Sequence, residues 1–255
     1  MLIDTHAHIF LEEFKNDVDE VIQRAIDAGV EKILLPNIDV DSIDDLLEIE
    51  AKYPEVCHAM MGLHPCSVKQ DFEKQLQVIE DWLSKRKFIA VGEIGTDLYW
   101  DKTFWDQQKQ AFNIQCELAI KYDIPVAIHC RETIDETIDL VAGFAGQGLT
   151  GVFHCFTGSA AQGNSIINLG FYLGLGGVST FKNGGLDLVI PELDLSKLVL
   201  ETDSPYLSPA PERGKRNEPC KVNLIASKIS EILNLSKDDV ASLTTRNANN
   251  LFFRS

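Results

Sequence analysis

The sequence predicts an α/β protein, a (β/α)8 barrel of the TIM type folded as one domain over residues 1–255. Three observations carry that expectation. Eight short apolar runs alternate with stretches of helical spacing along the whole chain, the pattern of parallel strands joined by crossover helices. A length of 255 residues suits such a barrel as a single unit. An open doubly wound sheet shares the alternation, so the third observation decides. His6, His8, Glu93, His129, His154 and Asp203 follow strands one, four, five, six and eight. One small site collects residues from all of those strand ends only if the sheet closes.

Strand one starts at Leu2-Ile3-Asp4 and runs into Thr5-His6-Ala7-His8. Val18, Val21, Ile22, Ala25 and Ile26 have helical spacing, and Gly29 suits the stop. Strand two is Ile33-Leu34-Leu35, followed by a helix over 43–49. Strand three is expected over 56–62, running into Leu63-His64-Pro65, with a helix over 72–83. Strand four is expected over 88–91, ending at Gly92-Glu93, before a long amphipathic helix over 105–122. Strands five to eight are expected over 125–128, 152–153, 171–175 and 198–200, and helices over 222–233 and 237–251 close the chain. The stretch 208–219 follows strand eight. It would hang over the same mouth as a lid or substrate loop, or serve as an exposed connector.

Composition narrows the function classes. The apolar fraction is 45%, ordinary for a globular protein. No apolar run is long enough to span a bilayer, and no basic region precedes an apolar stretch at the N-terminus. A cytoplasmic enzyme with no membrane and no stable protein partner is expected. The net charge of −16 argues against a protein that coats long nucleic acid, although a site carrying its own cations still attracts phosphate locally. Lys215 and Arg216, with Arg213, form the compact basic cluster nearest the predicted mouth. The six cysteines contain no Cys-x-x-Cys pair. Strand alternation would turn Cys130 and Cys155 outward under the helices as inert thiols.

His6 and His8 are two residues apart, so an extended chain puts both rings on one face. Alone, such a pair is more readily a surface feature than a metal site. Together with Glu93, His129, His154 and Asp203 it makes a donor set that suits borderline divalent cations. Six donors exceed one closed tetrahedral site and suit two ions sharing a carboxylate. The division expected is His6, His8 and Asp203 on one ion, His129 and His154 on the other, with Glu93 bridging. The competing reading makes some of them buried core residues. Arg131 shares a strand face with His129, so its planar guanidinium either meets phosphate or pairs with a local acid. His64 either donates to substrate or caps the loop before Pro65. Glu201 shares a face with Asp203 and suits the orientation, by hydrogen bonding, of a ligand or of Arg131. His58 reads as structural, and Gly174, Gly176 and Gly177 permit close backbone approach.

These motifs resemble the TatD family of metal-dependent deoxyribonucleases. The likeness rests on Ile3-Asp4-Thr5-His6-Ala7-His8, Gly62-Leu63-His64-Pro65, Gly92-Glu93-Ile94-Gly95, Ile128-His129-Cys130-Arg131, Phe153-His154-Cys155-Phe156-Thr157-Gly158, Glu201-Thr202-Asp203-Ser204-Pro205-Tyr206-Leu207 and Arg216-Asn217-Glu218-Pro219, in the family's order over nearly the whole chain. The resemblance implies a barrel of the amidohydrolase superfamily with 3′-to-5′ exonuclease or phosphodiesterase activity. It assigns metal ligation to the six residues already named and places His64 and Arg131 at the substrate. Gly95-Thr96-Asp97-Leu98-Tyr99 departs from the family pattern, which leaves Asp97 and Tyr99 without an assigned role.

The leading expectation is hydrolysis of DNA phosphodiesters, at ends or in short oligonucleotides, by water activated with two divalent ions (Zn, Mn or Mg). Asp203 and Glu93 are the catalytic pair, Asp203 orienting the water or taking its proton. Arg131 and His64 meet the phosphate and the leaving oxygen. The rivals are an amidohydrolase-type enzyme cutting a C–N or ester bond of a small molecule, and a non-catalytic metal-binding protein.

Overall fold

The structure, a computed structural model, describes residues 1–253. Eight strands form: β1 (Leu2–Asp4), β2 (Val30–Leu35), β3 (Cys57–Ala59), β4 (Val91–Asp97), β5 (Val126–Arg131), β6 (Gly151–Phe153), β7 (Tyr172–Leu175) and β8 (Leu198–Leu200). The helices are α1 (Val18–Asp27), α2 (Ile43–Lys52), α3 (Phe72–Lys85), α4 (Trp105–Tyr122), α5 (Ile134–Ala142), α6 (Ala160–Asn168), α7 (Leu186–Val189), α8 (Val222–Leu233) and α9 (Lys237–Phe252). Among the described residues no helix is long and apolar enough to cross a membrane.

Every strand pairing is parallel, in the orders β1-β2-β3 and β4-β5-β6-β7-β8. Backbone bonds close both seams. Thr5 N donates to Leu200 O at 3.0 Å and Asp203 N to His6 O at 2.8 Å, joining β8 to β1. Ile89 N donates to Ala59 O at 3.1 Å and Gly92 N to Met61 O at 3.2 Å, joining β3 to β4. The chain is therefore a closed (β/α)8 barrel, as expected. One apolar residue from each strand or its edge fills the interior: Ile3, Leu34, Met60, Ala90, Ala127, Val152, Tyr172 and Val199. Ala248, Leu251 and Phe252 of α9 join this cluster and plug the barrel's N-terminal end. A larger cluster lies between strands and helices, where Val21 and Ile22 of α1 and Phe112 and Cys116 of α4 are fully buried. The two clusters, inside and outside the strands, leave the C-terminal mouth to polar residues.

Some strand limits differ from the expected ones. Strand four runs to Asp97 and strand five to Arg131, so Glu93 and His129 lie within strands rather than after them. The register explains this: Gly95 pairs with His129, Thr96 with Cys130 and Asp97 with Arg131. Gly95 has φ +146°, and a Cβ there would lie 1.9 Å from His129 O, so only glycine lets the two strands continue together. Strand three is shorter than expected, because 60–62 bond irregularly across the seam. Cys130 packs outward against the larger cluster, but Cys155 does not follow the alternation. Its φ is +46°. Burial, with Asp203 and Glu201 nearby, pushes its thiol well above the usual range.

The segment after β8 is braced, and the basic cluster expected there is not free. Arg216 donates to both carboxylate oxygens of Asp17 (2.8 and 2.6 Å), to Glu218 at 2.9 Å and to Glu13 O, and lies over the Phe14 ring. Lys215 pairs with Glu212 at 2.9 Å, and Arg213 stacks on Phe181. Asn217 Nδ2 donates to Thr202 O and Tyr206 O, both at 2.7 Å, fixing the turn that carries Asp203. Arg216→Ala is expected to cost about 2 kcal/mol, since charge-assisted bonds to two partly buried carboxylates are lost. A urea titration measures it. The salt dependence of substrate affinity is expected to stay unchanged, because Arg216 is committed to protein carboxylates.

Candidate metal centre

Five of the chain's six histidines converge at the mouth around Glu93, and His58 stays apart beside Lys32 and the Phe253 ring. Strand alternation places His6 and His8 on one face after β1, as expected. Glu93 is 2% exposed and its two oxygens face different imidazoles. Oε2 lies 3.1 Å from His6 Nε2 and 3.4 Å from His8 Nε2. Oε1 lies 2.9 Å from His154 Nε2, 3.0 Å from His129 Nδ1 and 3.4 Å from His64 Nε2. Asp203 Oδ1 stands 3.7 Å from His8 and 4.0 Å from His6, with the carboxylate slightly open to solvent. The His6 and His154 rings stack at 3.9 Å.

Electrostatics follow from this crowding. Burial alone would raise the Glu93 carboxyl, but His154, His6 and His64 hold it well below its usual range. Burial keeps His6 neutral, helped by His154, and also lowers His64. For His154 the Glu93 and Glu201 carboxylates outweigh burial and raise it well above the ordinary value. Burial raises Asp203 to about 6.

The donor set suits a cation. His6 Nε2 lies 3.2 Å from His8 Nε2, and His129 Nδ1 lies 3.3 Å from His154 Nε2, each pair also facing a Glu93 oxygen. Only one proton fits between two ring nitrogens, and two facing lone pairs repel. A divalent metal accepts all of these lone pairs together. Three groups have ligand atoms within 4.8 Å of one another: His6, His8 and Asp203; His6, Glu93 and His154; and His64, Glu93 and His129.

A second layer of carboxylates orients the rings. Asp97 Oδ2 lies 2.9 Å from His129 Nε2, while Oδ1 accepts from the backbone N–H of Tyr99 and Trp100. Burial would raise Asp97, but these partners lower it to about 2. The sequence reading missed this residue. The available signal was its spacing, because Glu93 and Asp97 are four apart on one strand and so share a face. Glu201 Oε1 lies 3.5 Å from His154 Nδ1 and accepts from Cys155 N, so Glu201 orients a histidine rather than Arg131. A Cβ on Gly174 would lie 2.2 Å from Glu201 Oε2, and one on Gly177 would lie 1.9 Å from Leu207 O. These glycines make room for a side chain and the loop after β8. Asp4, raised by burial to about 8, accepts from His6 N and Thr202 N and bonds Thr202 Oγ1, tying the ends of β1 and β8 together.

His64 differs from the other rings. Its Nδ1 accepts from Cys66 N at 3.1 Å, which caps a short 3-10 turn and leaves Nε2 to carry the proton. Arg131 is exposed at the end of β5, with its guanidinium 3.7 Å from the Tyr99 ring centroid. Among the described residues no carboxylate pairs with it, so the local-acid alternative does not hold.

A family profile described as TatD related DNase matches residues 3–253. The Bacillus subtilis (strain 168) protein named uncharacterized metal-dependent hydrolase YabD is 37% identical over 253 residues, 99% of each chain. A protein of Edwardsiella piscicida named 3'-5' ssDNA/RNA exonuclease TatD is 30% identical over 257 residues, 98% of this chain and 99% of its own. The crystal structure of the TatD homolog YJJV from Escherichia coli K12 superposes with a TM-score of 0.93 at 31% identity, covering 100% of this chain and 98% of that one. The chain belongs to the TatD related DNase family, and it is a metal-dependent hydrolase.

Proposed function

We propose that the protein, acting as one catalytic unit over 1–255, is a 3′-to-5′ exonuclease that hydrolyses phosphodiesters at the ends of DNA or short oligonucleotides. One observation carries the two-ion part of the reading: the two oxygens of Glu93 face separate sets of imidazoles. His6, His8 and Asp203 would hold one ion, His129 and His154 the other, with Glu93 between them. The relative named an ssDNA/RNA exonuclease supports the substrate class. Bound divalent ions (Zn, Mn or Mg) would supply Lewis acidity and a water acidified towards neutrality.

The chain's own groups do the rest. Asp203, at the solvent side of the cluster, accepts the proton of the attacking water. Neutral His64 presents Nε2–H to the phosphate or the leaving oxygen. Arg131 carries an unpaired guanidinium for a non-bridging phosphate oxygen. Asp97 and Glu201 hold the rings of His129 and His154 in place. The test is metal-reconstituted protein on end-labelled single- and double-stranded DNA and RNA. Stepwise loss from the 3′ end is expected. Release from the 5′ end, rapid cutting of circular DNA, or turnover confined to cyclic amides or lactones would overturn the reading.

A further inference from the structure

The barrel mouth carries a feature that the metal centre does not use. Among the described residues the only exposed aromatic rings are Tyr99 (47%), Trp100 (69%) and Tyr206 (49%), and all three lie on loops at that mouth. Tyr99 and Trp100 follow β4, and Tyr206 follows β8. In a closed barrel of eight strands, the fourth and eighth are diametrically opposed, so the rings flank the centre from two sides. Both groups are anchored to it. Asp97 Oδ1 accepts from Tyr99 N at 2.8 Å and Trp100 N at 3.0 Å, while its other oxygen meets His129. Tyr206 N donates to Asp203 O at 2.8 Å, and its ring centroid is 6.3 Å from that of His8. Arg131 covers one face of Tyr99 at 3.7 Å and lies 5.5 Å from the Trp100 ring. Exposed, backbone-anchored rings beside an unpaired guanidinium match the chemistry of a nucleobase next to its phosphate.

We propose that the two aromatic faces, Tyr99–Trp100 and Tyr206, stack the bases on either side of the scissile phosphate. This rests on the nuclease reading above and deepens it. On a protein of net charge −16, stacking supplies affinity that a basic track does not. Because each base must lie on protein rather than on its neighbour, the substrate has to be unpaired at the site. Recognition is also indifferent to base identity, since every base has a π-face.

The test compares an oligothymidylate with one whose last two residues are abasic, on metal-loaded wild type, Trp100→Ala, Trp100→Phe and Tyr206→Ala. Stacking on one aromatic face is worth about 1–3 kcal/mol per base, so each alanine variant should raise KM about 5- to 150-fold on the normal oligonucleotide. Metal content and kcat should be kept, and Trp100→Phe should recover most of the affinity. The abasic substrate should bind wild type weakly, with no further loss in the variants. Tryptophan quenching recorded on rapid mixing, before turnover, reads binding separately from chemistry. Base-dependent quenching without hydrolysis would support the platform and sink the nuclease reading. Hydrolysis with equal KM for both substrates would do the reverse. Equal losses on normal and abasic substrates would show a merely structural role and overturn the proposal.

Discussion

Glu93→Gln should leave the barrel folded and reduce turnover on the order of 10³-fold, about 4 kcal/mol of barrier. The carboxylate lies between imidazoles that face its two oxygens separately. An amide keeps the shape but offers one acceptor and an NH2 group, which cannot take a cation. The donors on that side then lose their shared charge. His154, raised by Glu93 and Glu201, should fall back towards neutrality. The backbone is held independently: Glu93 N donates to Asn37 O at 2.9 Å and Asn37 N to Gly92 O at 3.0 Å. Far-UV dichroism should therefore be unchanged. Metal content measured by elemental analysis should fall by about one ion per chain together with kcat. Full hydrolysis with unaltered metal content would remove Glu93 from the centre.

Local periodicity made the barrel and most of the centre legible in sequence. His6 and His8 follow from alternation on one strand, and the convergence of strand ends required a closed sheet. The strand limits were less legible because Glu93, Asp97, His129 and Arg131 are polar, and an apolar run stops before them. Their pairing depends on Gly95, whose role appears only beside His129 O. Long-range partners were hidden for a different reason. Arg216 looked like a free cation because Asp17 lies 199 positions away, and Asp4 meets Thr202 198 positions away. Cys155 broke a sound rule because one residue with φ +46° ends the alternation. The side chains that converge at the mouth were thus legible by type and strand position. Of the groups that hold them, Glu201 was legible because it shares a face with Asp203, whereas Asp97 was missed although it lies four positions from Glu93 on one strand.

Asp203→Asn should separate the acceptance of a proton from the holding of metal. Asp203 lies farther from the imidazoles than Glu93 does, at 3.7 and 4.0 Å, and its side chain is 13% exposed. That places it where water reaches the centre. If it accepts the proton of the attacking water, its loss should lower kcat about 10²- to 10⁴-fold, the range for a general base. His6, His8 and Glu93 remain, so metal content should stay near the wild-type level. The pH profile supplies the second readout. Asp203 works as a base only when ionised, so wild-type kcat/KM should rise with pH through its pKa. Burial raises that carboxyl to about 6 without cations. Bound cations favour the charged form, so the rising limb should lie below that value in the loaded enzyme. In the asparagine variant that limb should vanish, leaving a low rate with no acid-side dependence from this group. Loss of metal in proportion to activity, with the limb intact, would make Asp203 a ligand only and move the proton to another acceptor.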